Sequence, residues 1–178
     1  MQPVKEKRSL EIGSFDAVLR GVILPMGLRI QTVKVSGNGL QCTHHPFAVT
    51  AQDPGALEVF LAETDLADFL NATSPAGLKG VSVEAKQGAL HIKGTKTVLI
   101  DVKVYAVCAL RIVDSTKLFV DLESIDIFGS GPKQLIQSQL DKINPVLDTA
   151  DFPISAKLDS VEITQGGILL RGWVEPGK

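Results

Sequence analysis

Aromatic side chains are scarce in this chain: one Trp, one Tyr and seven Phe, 5% of 178 residues. There is little here to stack on bases. Charge of one sign is lacking as well, since 18 basic and 20 acidic residues are interspersed for a net −2. Without a basic field or a stacking platform, no nucleic-acid partner is expected. Cysteine is equally sparse. Cys42 and Cys108 are too few for a disulfide framework, and a bridge between them or two buried thiols both remain open. Apolar runs such as 104–110 fall far short of the ~18 residues of a membrane span. The polar, mildly basic residues 1–9 read as a disordered tail with no signal-peptide core behind them. A cytoplasmic or membrane-peripheral location is therefore expected, unless a leader has been removed.

Catalytic signatures are missing too. Gly129-Ser130-Gly131 lies between an expected strand and an expected helix, where backbone N–H groups can cradle phosphate. No third glycine follows, nor a lysine followed by serine or threonine, so these residues read as helix punctuation. There is no G-x-S-x-G elbow. Cys42, His44 and His45 form a C-x-H-H cluster near Asp53, but a structural zinc site needs a second ligand pair at defined spacing. Asp101, Asp121, Glu123 and Asp126 read as solvated strand faces rather than an acid–base pair. The expectation is a protein that is not an enzyme, with no metal and no cofactor.

What is present is a core. Hydrophobic residues make up 44% of the chain and charged residues 21%, enough for one domain over 1–178. Its clearest feature is the alternation across 98–112. Val98, Ile100, Val102, Val104, Ala106, Cys108, Leu110 and Ile112 share one face, with Asp101, Lys103, Tyr105 and Arg111 opposite. Val102 and Val104 should be buried and Lys103 exposed. Such a strand spans roughly 50 Å, against a compact diameter of about 40 Å, so the sheet should be elongated or coiled.

A turn at Asp114-Ser115-Thr116 leads into a second strand from Lys117 to Phe128, set in phase by Leu118, Val120 and Leu122. Ile125 and Ile127 then change parity. The same break separates Leu28 and Ile30 from Val33 and Val35, and Leu158 from Val161 and Ile163. A bulge absorbs the extra residue at such a break and bends the strand, so three breaks predict a curved sheet.

Two segments read as helices. Thr64 is the expected N-cap of one, with Leu66, Phe69 and Leu70 on its apolar face. The other opens at Pro132, carries Leu135, Ile136, Leu140, Ile143 and Leu147 on one stripe, and is kinked or ended at Pro145. An internal echo runs over 64–94 and 132–172. In each copy a helix precedes a proline (Pro75, Pro153), and a hairpin follows, turning at Gln87-Gly88 or Gln165-Gly166. A structural duplication and the general likeness of hairpins both account for it. The fold class is α+β, mostly β: a long curved antiparallel sheet with one or two helices.

Two stretches carry a family resemblance. Leu61-Ala62-Glu63-Thr64-Asp65-Leu66 through Leu70-Asn71 follows the strand over 57–60. Ile143-Asn144-Pro145 leads to Phe152-Pro153, then to Val161-Glu162-Ile163 and Gly166-Gly167-Ile168-Leu169-Leu170-Arg171-Gly172. Together they resemble the bacterial LmeA-like phospholipid-binding family over 10–174, with Ala62-Glu63-Thr64 departing from the more usual order at the helix start. The resemblance implies a curved antiparallel sheet wrapped around one or two helices, akin to tubular lipid-binding modules, with an apolar groove for phospholipid acyl chains. It also implies a role in envelope or membrane lipid handling, with transient membrane contact. The lining expected for that groove is Ile100, Val102, Val104, Leu110, Ile112, Leu118, Val120 and Leu122, facing Ile136 and Leu140. The competing expectation is a closed-core scaffolding or protein-interaction β-domain with no ligand.

Overall fold

Period-two alternation becomes strand wherever it runs, and strands dominate the architecture. The computed structural model describes residues 9–44, 47–74, 77–97, 101–127, 140–152 and 154–175. In chain order the elements are β1 (Ser9–Ile23), β2 (Arg29–His44), β3 (Phe47–Ala51), β4 (Gly55–Ala62) and α1 (Glu63–Thr73). They continue with β5 (Leu78–Lys86), β6 (Ala89–Thr97), β7 (Asp101–Val113), β8 (Lys117–Ile127), β9 (Leu147–Asp148), β10 (Ala156–Thr164) and β11 (Gly167–Val174). Residues 140–143 are also helical, and Asn144 lies outside that helix as the following proline requires. Pro75, Pro153 and the segment 128–139, which holds Gly129-Ser130-Gly131 and Pro132, fall outside the described residues.

The strands form two antiparallel sheets. One has the order β1-β2-β4-β11-β10 with β3 added to β2, and the other runs β5-β6-β7-β8-β9. Every neighbouring pair is antiparallel. Along β7 the alternation holds in its middle: Val104, Ala106 and Cys108 are buried, and Lys103 is exposed. Val102 is only half-buried, against expectation. It pairs with Lys96 near the open end of the sheet, where the core no longer covers it. The carboxylates behave as a solvated face, with Asp101, Glu123 and Asp126 exposed and Asp121 paired to Arg111.

Two of the three parity breaks are bulges. Val107 pairs with Ser124 but Cys108 with Leu122, so Glu123 is the extra residue, and Ile125 returns to the core side. Leu158 pairs with Gly172 but Ser160 with Arg171, so Asp159 is extra and Val161 and Ile163 regain the core. The third break, in β2, differs. Its register with β1 is unshifted, and the change of phase falls where Gly21, at φ +66, and Gln31 drop out of the ladder.

The echoed segments fold as hairpins, β5–β6 and β10–β11. Gln87 and Gly88 both take positive φ, while in the second hairpin Gly166 does (φ +86). Each hairpin forms the outer two strands at one side of its sheet, its inner strand pairing with β7 or β4. The likeness ends there, because β4 runs straight into α1 whereas β7 opens a meander. The two tips come together beside Glu63 around an open polar cleft of about 560 Å³.

That meeting explains why the helix starts two residues earlier than its sequence suggests. The N-cap is Ala62, not Thr64, and it makes no side-chain cap bond. The Glu63 N–H donates to the Gly166 carbonyl instead, and a Glu63 carboxylate oxygen accepts from the Ala85 N–H at 3.0 Å. Tertiary contacts thus satisfy a helix end left bare by its own sequence. Leu66, Phe69 and Leu70 turn inward as their spacing requires. They join one core cluster that spans both sheets, with Leu28, Ile30, Leu61, Leu90, Leu118 and Leu170 fully buried.

Candidate functional site

Among the described residues β5 has no outer strand partner and β8 has one, β9, only at Lys117 and Leu118, and at each of these two sides an asparagine bonds the free backbone. At α1's last turn, Asn71 donates from Nδ2 to the Val81 carbonyl and accepts from the Val81 N–H, both at 2.8 Å. Asn144, just past the helical residues 140–143, does the same to Val120 on β8, with both bonds at 2.9 Å. A side-chain amide has the donor and acceptor of a peptide, so each asparagine stands in for a missing strand. Each also pins a helix end over the sheet. Leu70 is the neighbour of Asn71, and Leu140 accepts the Asn144 N–H through its carbonyl.

Between these two anchors lies an apolar cleft. Its floor is the inner face of the sheet: Leu78 and Val81 on β5, Ile92 and Gly94 on β6, Val104, Ala106 and Cys108 on β7, and Leu122 on β8. Leu70 and Leu140 close it from the helices. The register sets Ile92 opposite Ala106 and Gly94 opposite Val104, which alternates large and small side chains across two strands. The void follows from the small ones, Gly94, Ala106 and Cys108. Its free volume is about 40 Å³, little more than one water's share of the liquid. Cys108 is the one lining side chain able to ionise. Burial, with Glu123 and Asp121 nearby, pushes its thiol up to about 12, so it stays neutral and serves as apolar wall.

Of the ten residues expected to line a groove, Val104, Leu122 and Leu140 reach this cleft. Leu118 and Val120 are buried in the core away from it, and Leu110 and Ile112 are half-buried against that core. Val102 is half-buried outside it, and Ile100 and Ile136 lie outside the described residues. Sequence reasoning missed Leu70, Leu78, Val81, Ile92, Gly94, Ala106 and Cys108. Ala106 and Cys108 were legible, since they stand in the same even-numbered stripe as Val104. A run of small residues inside a large aliphatic stripe is the signal that would have found the void.

On the outer face, His91 Nδ1 and the Tyr105 hydroxyl share a hydrogen bond, and His91 Nε2 is buried with no partner among the described residues. His45 and the side chain of His44 fall outside the described residues, and no group of three metal-ligating side chains occurs among those described. No helix among the described residues is long and apolar enough to cross a membrane. Residues 49–172 match the LmeA-like phospholipid-binding family. No curated protein and no solved structure matches the chain.

Proposed function

Because the chain belongs to the LmeA-like phospholipid-binding family, we propose that it holds phospholipid by the acyl chain in the cleft between Leu70, Leu140 and the inner face of β5–β8. On this reading the whole chain acts as one non-catalytic unit whose curved sheet wraps its helices, as in tubular lipid-binding modules. Its role is membrane or envelope lipid handling through transient contact with a bilayer. Val104, Leu122 and Leu140 form the core of the site. Val102, Leu110, Ile112, Leu118 and Val120, with Ile100 and Ile136, extend the apolar face along which a longer chain lies.

The observation that carries this reading is a cleft lined by apolar side chains and closed by one leucine from each helix. Its free volume of about 40 Å³ means that the leucines part as a chain enters. The helices meet the sheet edges through a few side-chain hydrogen bonds, whereas the floor is a continuous ladder, so the helices are the walls that yield. Each buried methylene is worth about 0.8 kcal/mol, so about ten correspond to a micromolar Kd.

Native mass spectrometry of protein purified without detergent should show a phospholipid-sized adduct. Val104→Trp should displace it at a fold cost of about 1–3 kcal/mol from overpacking. A chain that carries no lipid and takes up no fluorescent phospholipid analogue is a closed-core scaffold instead.

A further inference from the structure

The β1–β2 hairpin reaches past the sheet it belongs to. β4 pairs with β2 only over residues 32–36, while β1 and β2 stay paired on to Ile23 and Arg29. At the tip, Leu24 and Leu28 fold back into the core at 3% and 0% exposure. Ile23 and Met26 do not. They are 69% and 36% exposed, and Val18 and Leu19 on the same strand are each 47% exposed. Ile23 is the most exposed of the large apolar side chains described, at the end of a ribbon whose buried side chains, Leu24, Leu28 and Ile30, lie in the turn and on β2.

Charge identifies what such a tip fits. Residues 17–52 contain no Asp or Glu, in a chain whose net charge is −2. Arg20 and Arg29 flank the apolar tip, and both are exposed. Arg29 has a partner across the tip's base in Asp65, at 3.3 Å, and Arg20 has no ion-pair partner among the described residues. Protruding apolar side chains ringed by arginine, with no acid in the surrounding sequence, suit an anionic lipid surface. The apolar residues enter the headgroup boundary and the guanidinium groups meet lipid phosphate. A second copy of the chain fits less well, because two tips brought together by a two-fold axis would set arginine against arginine.

We propose that the β1–β2 tip, through Ile23 and Met26 with Arg20 and Arg29, docks this protein on an anionic bilayer. The inference rests on the reading that the protein handles phospholipid, since docking then supplies the route between bilayer and cleft. The test is flotation of the full chain with vesicles of phosphatidylcholine alone, or with about one-third phosphatidylglycerol. Uptake of a soluble short-chain fluorescent phospholipid is measured in parallel. Wild type should float with the anionic vesicles and not the neutral ones. Ile23→Asp combined with Met26→Asp should weaken flotation by about tenfold or more, and uptake of the soluble lipid should be unchanged. Val104→Trp should do the reverse, losing uptake and keeping flotation. Wild type that does not float, a tip variant that floats like wild type, or one that changes only the oligomeric state in sedimentation overturns docking. Loss of uptake in every form, with flotation intact, overturns the cleft and leaves docking standing.

Discussion

Gly94 and Gly172 occupy matching places in the two hairpins, yet their surroundings differ. A Cβ on Gly94 would meet its nearest neighbours at 3.5 Å, ordinary contact, whereas one on Gly172 would collide with the Lys157 carbonyl. Gly172 is therefore needed for close approach of two backbones, β10 and β11. Gly172→Ala should cost about 2 kcal/mol or more in urea melts, and Gly94→Ala should be within about 1 kcal/mol of wild type. Equal costs would show that Gly172 has been given the wrong reason.

Cys108 allows a second test at this scale. Its thiol is raised from 9.0 to about 12 by burial first, then by Glu123 and Asp121. The folded state therefore keeps a proton that the unfolded state releases above its own pKa. Stability owed to the neutral thiol is complete below pH 9.0 and is lost as pH rises toward about 12. Wild type should lose stability relative to Cys108→Ala over that window. Alkylation of Cys108 by a maleimide at neutral pH should be slow, and slower still when lipid fills the cleft.

At the level of elements, the paired asparagines are the notable device. Removing either side chain strands a backbone N–H and a carbonyl at a sheet edge, a cost of about 1–3 kcal/mol for a buried unpaired group. Asn144→Ala should destabilise by about that amount, and Asn144→Asp, which keeps the acceptor for the Val120 N–H but sets a carboxylate oxygen against the Val120 carbonyl, should cost at least as much. Because Asn71 and Asn144 fix the helix ends beside Leu70 and Leu140, both alanine variants should also speed exchange of a bound lipid analogue. A slowed or unchanged exchange would detach the asparagines from the cleft. The helix start shows the same reliance on neighbours: with Ala62 as cap and Gly166 as acceptor, Thr64 contributes no cap bond.

For the whole molecule, one core joins two sheets, and the cleft is part of that core rather than a cavity beside it. Filling it stabilises everything packed around it. A lipid analogue at a hundredfold excess over its Kd adds about 2.7 kcal/mol, which for a chain of this size raises Tm by about 5–10 °C. Val104→Trp should melt at one temperature with or without lipid. A lipid-dependent shift retained in that variant would move the binding site elsewhere.

Much of this architecture was legible from local pattern. The alternation became β7 from Asp101 onward, the Gln-Gly pairs became hairpin turns, and the parity breaks in β8 and β10 became bulges, with Glu123 and Asp159 as the extra residues that only the register identifies. The face Leu66, Phe69 and Leu70 present was readable from helical spacing, and the residues that matched the family over 49–172 were readable as pattern. These features depend on φ, ψ and side-chain direction within a few residues, so the sequence by itself determined them. It could not place the site. Periodicity says which way Val104, Leu118 and Leu122 point, but not which strand or helix lies across from them. The register of β6 on β7 brings Gly94, Ala106 and Cys108 into one shallow floor, and two asparagines far apart in the chain set Leu70 and Leu140 above it. Only the tertiary structure decided that, because a void is a property of facing surfaces and neither surface contains it alone.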